Sequence, residues 1–264
     1  MSANAPVRLS TKFLEKVWGT TDLSPWYPAA ENKIGEVWFE ADLPLLVKFV
    51  FTSASLSVQV HPDDAYAAAH ENSRGKTEMW YVLRAEPGAR LGVGFGQPIT
   101  AERLRQASIS GEIERLLQWI EVQPGDVFFI PAGTVHAIGA GLALCEIQEH
   151  SDITYRLYDY GRPRELHLDK AAQVAFTGVT DPTPRLLPVD CDYFHVELAR
   201  TNSSLQYKPE PDRFHLLIFL AGSGTIAGQA CREGETWLVP AGASPFFIEP
   251  AEPVKFLRAW VPNL

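Results

Sequence analysis

The stretch Gly125-Asp126-Val127-Phe128-Phe129-Ile130-Pro131-Ala132-Gly133-Thr134-Val135-His136 decides how this chain is interpreted. Four apolar residues follow Gly-Asp and end at Pro-Ala-Gly, which is typical of a short buried strand bounded by turns. The turn then delivers one imidazole, His136, to the start of the next strand. A single histidine is more often a hydrogen-bonded core or surface residue than a metal ligand. A metal site at His136 therefore needs partners elsewhere in the chain.

Two upstream segments supply such partners, Ser57-Val58-Gln59-Val60-His61 and Lys76-Thr77-Glu78-Met79-Trp80. Residues two apart in a strand share a face, so Gln59 and His61 are predicted to point the same way. Glu78 lies in an apolar, aromatic run where an unpaired carboxylate would be costly to bury. Two imidazoles, one carboxylate and one amide oxygen suit zinc with open positions, or manganese, iron or cobalt. The predicted ligands of one divalent ion per chain are Gln59, His61, Glu78 and His136.

These motifs resemble the two sequence motifs of the cupin superfamily, with a glutamine in place of one usual histidine. Residues 59–64, 75–81 and 131–138 together resemble a type I phosphomannose isomerase of the short bacterial kind, and the resemblance runs from Trp18 to Ala172. It implies a zinc-dependent aldose–ketose isomerase that interconverts mannose 6-phosphate and fructose 6-phosphate through an enediolate. It also implies that Trp18, Glu36 and Glu146 lie near the pocket.

The composition is that of an ordinary folded protein. The 264 residues, 46% of them hydrophobic and 21% charged, suffice for one large or two compact domains. No apolar run reaches membrane-spanning length and the N-terminus lacks a basic and then apolar region, so we expect a cytoplasmic protein without a targeting signal. Three scattered cysteines offer neither a disulfide framework nor a thiolate metal site. The formal net charge of −9 argues against nucleic acid and anionic membranes as partners.

A sugar phosphate bound by such an acidic chain needs a local cluster of basic groups. Lys76 lies two residues before Glu78 and would face the same pocket. Arg156 and Arg162 bracket an aromatic strand, and arginine binds phosphate through two parallel hydrogen bonds. The predicted catalytic groups are Arg156, Lys76 and Glu146, and the sequence leaves open which of them, or a metal-bound water, moves the proton. The predicted substrate-binding residues are Ser57, Lys76, Arg156, Arg162, Trp18 and Glu36.

The rest of the pattern predicts a mainly β chain with a helical insertion in its N-terminal half. Alternating or continuous apolar runs bounded by turn residues indicate strands. Acidic first turns and helical spacing indicate helices. The expected strands include 34–39, 45–51, 56–60, 77–83, 142–148 and 155–159. The expected helices are 62–70, the insertion at about 100–120, and 170–176.

The second half contains a weakened copy of the first. The stretch Gly234-Glu235-Thr236-Trp237-Leu238-Val239-Pro240-Ala241-Gly242-Ala243-Ser244-Pro245 aligns with the opening stretch position for position, but Pro245 stands where His136 stands. Residues 214–220 correspond to the strand of the upstream acid and carry no acid in the matching place. This repeat predicts two cupin-like jelly-roll β-barrels, of which only the first keeps a metal site. The expected domains are an N-terminal cupin domain, 1–180, and a degenerate C-terminal cupin-like β domain, 181–264.

Two other classes of protein stay open at this point. A different cupin enzyme, such as an iron-dependent oxygenase, needs redox iron and gains nothing from the basic cluster. A non-enzymatic sugar-binding or regulatory cupin would retain the metal as a structural ion and need not keep basic residues around it. We expect a small-molecule sugar phosphate as the partner, and the sequence does not specify an oligomeric state.

Overall fold

The structure of the protein is a computed structural model that describes residues 5–262. The prediction that the N-terminus carries no targeting signal rests partly on residues 1–4, which lie outside the described residues. Among residues 5–262, none of the helices combines the length and apolar composition that crossing a bilayer requires.

The described chain is mainly β, as predicted. The N-terminal half contains β1 (Val7–Arg8), β2 (Ser10–Thr20), β3 (Ile34–Glu40), β4 (Leu45–Phe51), β5 (Val58–Val60), α1 (Asp64–Glu71), β6 (Glu78–Ala85), β7 (Arg90–Phe95), α2 (Ala101–Ser110), α3 (Ile113–Leu116), β8 (Leu117–Glu121), β9 (Val127–Ile130), β10 (His136–Ile138), β11 (Leu142–Glu149), β12 (Tyr155–Tyr158) and α4 (Leu168–Val174). The C-terminal half contains β13 (Val189–Asp190), β14 (His195–Thr201), β15 (Leu205–Tyr207), β16 (His215–Ala221), β17 (Ser223–Ile226), β18 (Gln229–Arg232), β19 (Thr236–Val239), β20 (Phe246–Pro250) and β21 (Val254–Trp260).

These strands form four antiparallel sheets. The N-terminal half has a five-stranded sheet in the order β12-β5-β10-β7-β8 and a six-stranded sheet in the order β2-β3-β4-β11-β6-β9. The C-terminal half has a six-stranded sheet, β1-β19-β16-β21-β14-β13, and a four-stranded sheet, β15-β20-β17-β18. An apolar core lies between the two sheets of each half. A larger core joins the two six-stranded sheets to each other.

The six-stranded sheet of the N-terminal half is buried on both faces, which explains why β4 is apolar almost throughout. In β4, Val47 and Phe49 point into the core shared with the C-terminal half, whereas Lys48 and Val50 point the opposite way. All seven residues of β4 are buried. A lysine in the middle of such a strand must therefore face either a partner charge or a cavity.

Helices cover the outer face of the five-stranded sheet. Leu104 and Ala107 of α2 pack in one core with Val58 and Val60 of β5. Because alternate residues of a strand face opposite sides, Gln59 is left on the inner face, towards the six-stranded sheet. The helix predicted at 62–70 is confirmed as α1, and its Asp63 side chain caps it by accepting from the backbone N–H of Tyr66 at 2.8 Å.

Two features differ from the expectations. The helical insertion ends at Leu116, and residues 117–121 form β8, which pairs with β7 through Gly92↔Trp119. The helical spacing of apolar residues across 113–120 predicted a helix that ends too late. Residues 117–121 instead form backbone hydrogen bonds with β7, and the sequence pattern does not reveal that this strand edge is available. In addition, β1 pairs with β19, so the N-terminus contributes an edge strand to the sheet of the C-terminal half.

Candidate active site

Three neighbouring strands place three of the predicted site residues in one row. His136 of β10 lies opposite Gln59 of β5, and Gln59 lies opposite Arg156 of β12. All three strands belong to the five-stranded sheet, and Glu78 opens β6 in the sheet that faces it. The short segment between β5 and α1 adds His61. The predicted ligand set is therefore assembled from both sheets of the N-terminal half.

The two histidines and the glutamate meet at a single point. His61 Nε2 lies 3.6 Å from Glu78 Oε2, and His136 Nε2 lies 3.4 Å from Glu78 Oε1. One ligand atom from each of the three residues lies within 4.8 Å of the others. All three side chains are buried. Two imidazole nitrogens and a carboxylate at this spacing are able to coordinate one small cation together.

Backbone carbonyls fix the protonation of both imidazoles. His61 Nδ1 lies 2.7 Å from the carbonyl oxygen of Ile153, and His136 Nδ1 lies 2.9 Å from that of Thr134. A carbonyl only accepts, so each Nδ1 carries the proton and each Nε2 keeps its lone pair for a ligand. Burial lowers the pKa of His136 to about 4, and burial with the neighbouring Lys76 charge lowers the pKa of His61 well below its usual value. Both rings are therefore neutral at neutral pH, which metal binding requires.

Glu78 is a buried carboxylate that lacks satisfactory hydrogen bonds within the described structure. Its two oxygens have no hydrogen-bond partner of good geometry, although Lys76 Nζ forms an ion pair with Oε2 at 2.8 Å. Burial, together with the Glu146 charge, raises the pKa of Glu78 above its usual value. A buried acid that faces two imidazole lone pairs is poorly satisfied by protein atoms alone. These residues thus fit a divalent cation in chemistry and in placement.

The amide nitrogen of Gln59, rather than its oxygen, points towards the same cluster. Gln59 Nε2 lies 3.2 Å from His136 Nε2, while Gln59 Oε1 accepts a hydrogen bond from Ser57 Oγ at 3.1 Å. An amide offers a metal its oxygen, so ligation by Gln59 requires the amide to rotate by half a turn. Its position agrees with the predicted set, and its orientation differs from it.

A cavity of about 240 Å³ opens above this cluster. Gln59 and Lys76 belong both to the cavity wall and to the surroundings of the histidines. Five basic and three acidic side chains line the cavity, so it has a net positive charge in a chain of formal net charge −9. The charged lining residues are Lys16, Lys48, Lys76, Arg156, Arg164, Glu36, Glu146 and Asp152. Trp18 and Ser57 line it as well.

The cavity floor holds a buried charge network that the sequence predicted only in part. Lys48 Nζ donates to Glu146 Oε1 at 3.2 Å, Lys76 Nζ lies 3.7 Å from the same oxygen, and Trp80 Nε1 donates to Glu146 Oε2 at 3.1 Å. Burial alone would raise the pKa of Glu146, but the ammonium groups of Lys76 and Lys48 outweigh it and hold this pKa at about 2. Burial lowers the pKa of Lys48, and Glu146 opposes that effect. Glu146 is therefore ionised at neutral pH.

Of the two arginines predicted for substrate binding, Arg156 lines the cavity and Arg162 does not. Arg162 donates from Nε to Asp159 Oδ1 at 3.0 Å and from Nη2 to the carbonyl oxygen of Ser55 at 2.9 Å. Arg164, two residues further along, lines the cavity in its place.

Four charged lining residues were missed by the sequence reasoning, Lys16, Lys48, Asp152 and Arg164, and Lys48 and Arg164 differ in the signal that they left. A lysine inside the apolar run of β4 is an anomaly, so Lys48 could have been found from the cost of burying its charge. Arg164 lies in a loop without periodicity, and nothing in its neighbourhood distinguishes it from a solvated arginine.

The C-terminal half has a histidine where the N-terminal half has Glu78. Glu78 pairs with Ile130, and His215 pairs with Val239, and in both cases the partner is followed by Pro-Ala-Gly. His215 Nδ1 lies 2.8 Å from Tyr207 Oη, and its Nε2, 3.6 Å from Glu210 Oε1, has no hydrogen-bond partner among residues 5–262. Burial, together with the Arg258 charge, lowers the pKa of His215 to about 4. The other charged groups that influence this ring are Glu210, Arg213 and Asp212.

No protein-family model matches the chain, but its relatives in sequence and in structure agree on one family. A probable mannose-6-phosphate isomerase of Bacillus subtilis (strain 168) is 35% identical over 263 residues, which cover 91% of this chain and 80% of the relative. Another mannose-6-phosphate isomerase of the same organism is 33% identical, with 92% of this chain and 96% of the relative covered.

A solved structure gives the same result at the level of the fold. The crystal structure of the mannose 6-phosphate isomerase from Bacillus subtilis superposes with a TM-score of 0.86 and 27% sequence identity, over 96% of this chain and 99% of that one. The alignments with the two sequence relatives cover most of each relative and most of this chain. The chain therefore belongs to the mannose-6-phosphate isomerase family.

Proposed function

We propose that the protein is a metal-dependent aldose–ketose isomerase that interconverts mannose 6-phosphate and fructose 6-phosphate. The observation that carries the proposal is the buried cluster of His61, Glu78 and His136 beneath a net positive cavity. The names of the relatives support the same reaction. An iron-dependent oxygenase or a non-enzymatic sugar-binding cupin would not account for the basic lining, and none of the relatives described above is named as either.

We propose zinc as the ion, held by His61, Glu78, His136 and, after rotation of its amide, Gln59. A donor set of nitrogen and oxygen atoms without thiolate is compatible with zinc and with other divalent ions. When bound, the ion would polarise the sugar carbonyl and stabilise the negative charge of the enediolate.

The chain's own residues would bind the sugar and handle its proton. The three predicted catalytic groups, Arg156, Lys76 and Glu146, all line the cavity, and we propose Arg156 and Lys76 as catalytic and Glu146 as the residue that positions Lys76. A carboxylate with a pKa of about 2 is a weak base at neutral pH, so Glu146 serves as the charge that holds Lys48 and Lys76 in place. The Glu78 and Glu146 carboxylates raise the pKa of Lys76 in spite of burial, so Lys76 and Arg156 are cations that would donate hydrogen bonds or a proton to the sugar oxygens rather than act as the base.

The remaining predicted residues have distinct places around the substrate. Trp18 and Ser57 form parts of the cavity wall. Glu36 accepts a hydrogen bond from Trp38 Nε1 at 2.6 Å and lies 3.4 Å from Lys16 Nζ, so its charge is oriented at the rim. We propose contacts with the sugar for these residues. For Arg162 we propose an indirect role, because it does not line the cavity and its Nε and Nη2 already donate to Asp159 and Ser55.

We propose that each half of the chain is a cupin-like jelly-roll barrel, divided at about residue 180. The matched pairings Glu78↔Ile130 and His215↔Val239, each followed by Pro-Ala-Gly, support an internal repeat. The four-sheet arrangement, with a core inside each half, agrees with it. A cytoplasmic location stays a prediction.

The test is turnover by the purified protein after loading with zinc. A coupled assay should record conversion of mannose 6-phosphate to fructose 6-phosphate, and removal of the metal with a chelator should abolish it. Absence of turnover with zinc, manganese, cobalt and iron would contradict the proposal and favour a binding protein. Oxygen consumption with iron would favour the oxygenase.

A further inference from the structure

The outer wall of the cavity contains an arginine pair. Arg156 lies opposite Gln59, and Gln59 lies opposite His136, on adjacent strands. Adjacent strands are about 4.8 Å apart, so roughly 10 Å separates the backbone of Arg156 from that of His136. Arg164, in the loop after β12, lines the same cavity. This separation suits a substrate whose anionic group is several bonds from the atoms that react.

A buried carboxylate holds Arg164 in this wall. Asp159 accepts from Arg164 Nε through Oδ2 at 2.5 Å and from Arg164 Nη2 through Oδ1 at 2.6 Å. Such a bidentate pair fixes the plane of the guanidinium as well as its position. The Asp159 side chain is 2% exposed and that of Arg164 is 32% exposed, so the acid anchors the arginine from below. The Nη1 donors of Arg164 are not used in these bonds.

Arg156 also has a donor to spare. Its Nη1 donates to the carbonyl oxygen of Glu165 at 2.9 Å, whereas its Nε is buried without a hydrogen-bond partner in the described structure. Burial and the nearby Arg164 charge lower the pKa of Arg156. Two neighbouring guanidinium groups repel each other unless an anion lies between them. Three carboxylates line the same cavity, those of Asp152, Glu36 and Glu146.

We propose that Arg164, together with Arg156, binds the phosphate group of the substrate, and that Asp159 is the positioning residue that keeps Arg164 in the wall. The ligand class is a phosphate monoester dianion. The identity of the sugar rests on the proposed function, whereas the phosphate contact rests on the arginine pair itself.

The first test replaces Arg164 and a matched arginine outside the cavity. Arg105 is the control, because its Nε lies 3.2 Å from Asp169 Oδ1 and its side chain is similarly exposed, at 34%. In metal-loaded enzyme, Arg164→Gln should raise the KM for mannose 6-phosphate about 10- to 100-fold and change kcat by less than about threefold, since a hydrogen bond to a charged group is lost. Arg105→Gln should leave both values unchanged. A KM for Arg164→Gln within about twofold of the wild type would overturn the proposal.

Binding measured by calorimetry removes the dependence on turnover. Mannitol 6-phosphate cannot isomerise, and mannitol lacks the phosphate, so the ratio of their affinities reports the phosphate contact. Arg164→Gln should reduce this ratio about 10-fold or more, and inorganic phosphate should compete less well. Unchanged ratios would overturn the phosphate contact even in an active enzyme. Wild-type protein that binds mannitol 6-phosphate through Arg164 and yet does not isomerise the substrate would instead contradict the proposed function alone.

The positioning role of Asp159 is tested with a double-mutant cycle. Asp159 holds Arg162 as well as Arg164, so the cycle is run in Arg162→Gln protein, where the Arg164 contact is the one left to remove. There Asp159→Asn should raise the KM about 10-fold, and adding Arg164→Gln should make it no worse. Additive effects in this cycle would show that Asp159 does not act through Arg164 and would overturn the positioning role. If Asp159→Asn does not fold, Arg164→Lys takes its place. It keeps the charge but loses the bidentate geometry, and its KM should lie between those of Arg164→Gln and the wild type, whereas a wild-type KM would overturn the positioning role.

Discussion

Within the cavity floor, removal of one charge should reduce the free energy of unfolding most at the buried ion pair of Lys48 and Glu146. The two charges are 3.2 Å apart, and their side chains are 6% and 7% exposed. At an effective dielectric constant of about 20, the attraction at this distance is about 5 kcal/mol, and desolvation offsets most of it. Glu146→Gln removes the counter-charge while Lys48 stays buried, so the free energy of unfolding should fall by about 3–5 kcal/mol.

Glu146→Gln should destabilise the environment of Lys76 less than that of Lys48. Lys76 keeps its ion pair with Glu78 at 2.8 Å, so the cost of Glu146→Gln falls mainly on Lys48. Because Glu146 opposes the effect of burial on Lys48, its removal should lower the pKa of Lys48 further. A lysine whose pKa is lower in the folded state than in the unfolded state binds fewer protons when folded. The free energy of unfolding therefore increases as the pH rises. The variant should thus recover stability as the pH rises towards 10.5, the ordinary pKa of lysine, more steeply than the wild type.

The assay is urea unfolding of chelator-treated protein at pH 7.5, in a cycle of Glu146→Gln, Lys48→Met and the double variant. The double variant removes both charges, so it should be at least about 2 kcal/mol more stable than the sum of the single losses predicts. The pair of Arg8, whose side chain is 60% exposed, with Glu235 is the control, and Arg8→Gln should cost less than about 1 kcal/mol. A loss below about 1 kcal/mol for Glu146→Gln, or an additive cycle, would refute the reasoning.

Three further predictions concern the metal ligands, the corner before His136 and the C-terminal half. His136→Ala should reduce zinc affinity at least about 100-fold and abolish turnover, measured by metal titration and the coupled assay, and near-normal zinc binding would contradict the assignment. Gly133 has φ +85° and an added Cβ would lie 3.0 Å from the carbonyl oxygen of Val174, so Gly133→Ala should cost about 1–2 kcal/mol and weaken metal binding. Gly242→Ala, at the matching corner with φ +65°, should cost stability without affecting the metal. His215 has a pKa of about 4 in the folded state and an ordinary value of 6.5, so the folded form binds fewer protons between these values. Protonation of His215 should therefore cost the chelator-treated protein about 1 kcal/mol of stability between pH 7.5 and 5.5, in addition to losses of the same sign from His61 and His136. His215→Phe should reduce the pH dependence by about that 1 kcal/mol, whereas an unchanged pH dependence would contradict it.

The positions of the proposed metal ligands could be predicted because they obey local rules. Pro131, Gly133 and the apolar residues before them define a turn between two short strands, and His136 follows at once. The period of two places Gln59 beside His61 and Lys76 beside Glu78 without knowledge of the tertiary structure. The amide orientation of Gln59 was not predictable in this way, because it depends on its hydrogen bond with Ser57.

The rest of the site depends on contacts between distant parts of the chain. Lys48 and Glu146 are 98 positions apart in sequence, and only the pairing of β4 with β11 brings them together. Arg164 is directed by Asp159, which a sequence pattern does not distinguish from any other loop acid. The segment 117–121 shows the same limitation, because the strand edge that it joins is formed by β7.

The arrangement of the sheets explains how a cavity floor with so many buried charges is kept rigid. Glu78, Glu146 and Lys48 all lie on the inner face of the six-stranded sheet, and the residues that alternate with them point into the core shared with the C-terminal half. In that core Phe49 and Met79 meet Ile218 and other apolar residues of the facing sheet, and each large apolar side chain contributes about 1.5–3 kcal/mol. The C-terminal half needs no metal to serve this purpose. Its six-stranded sheet excludes water from the back of the strands that position the charges, so their geometry is set by apolar packing rather than by the charges themselves.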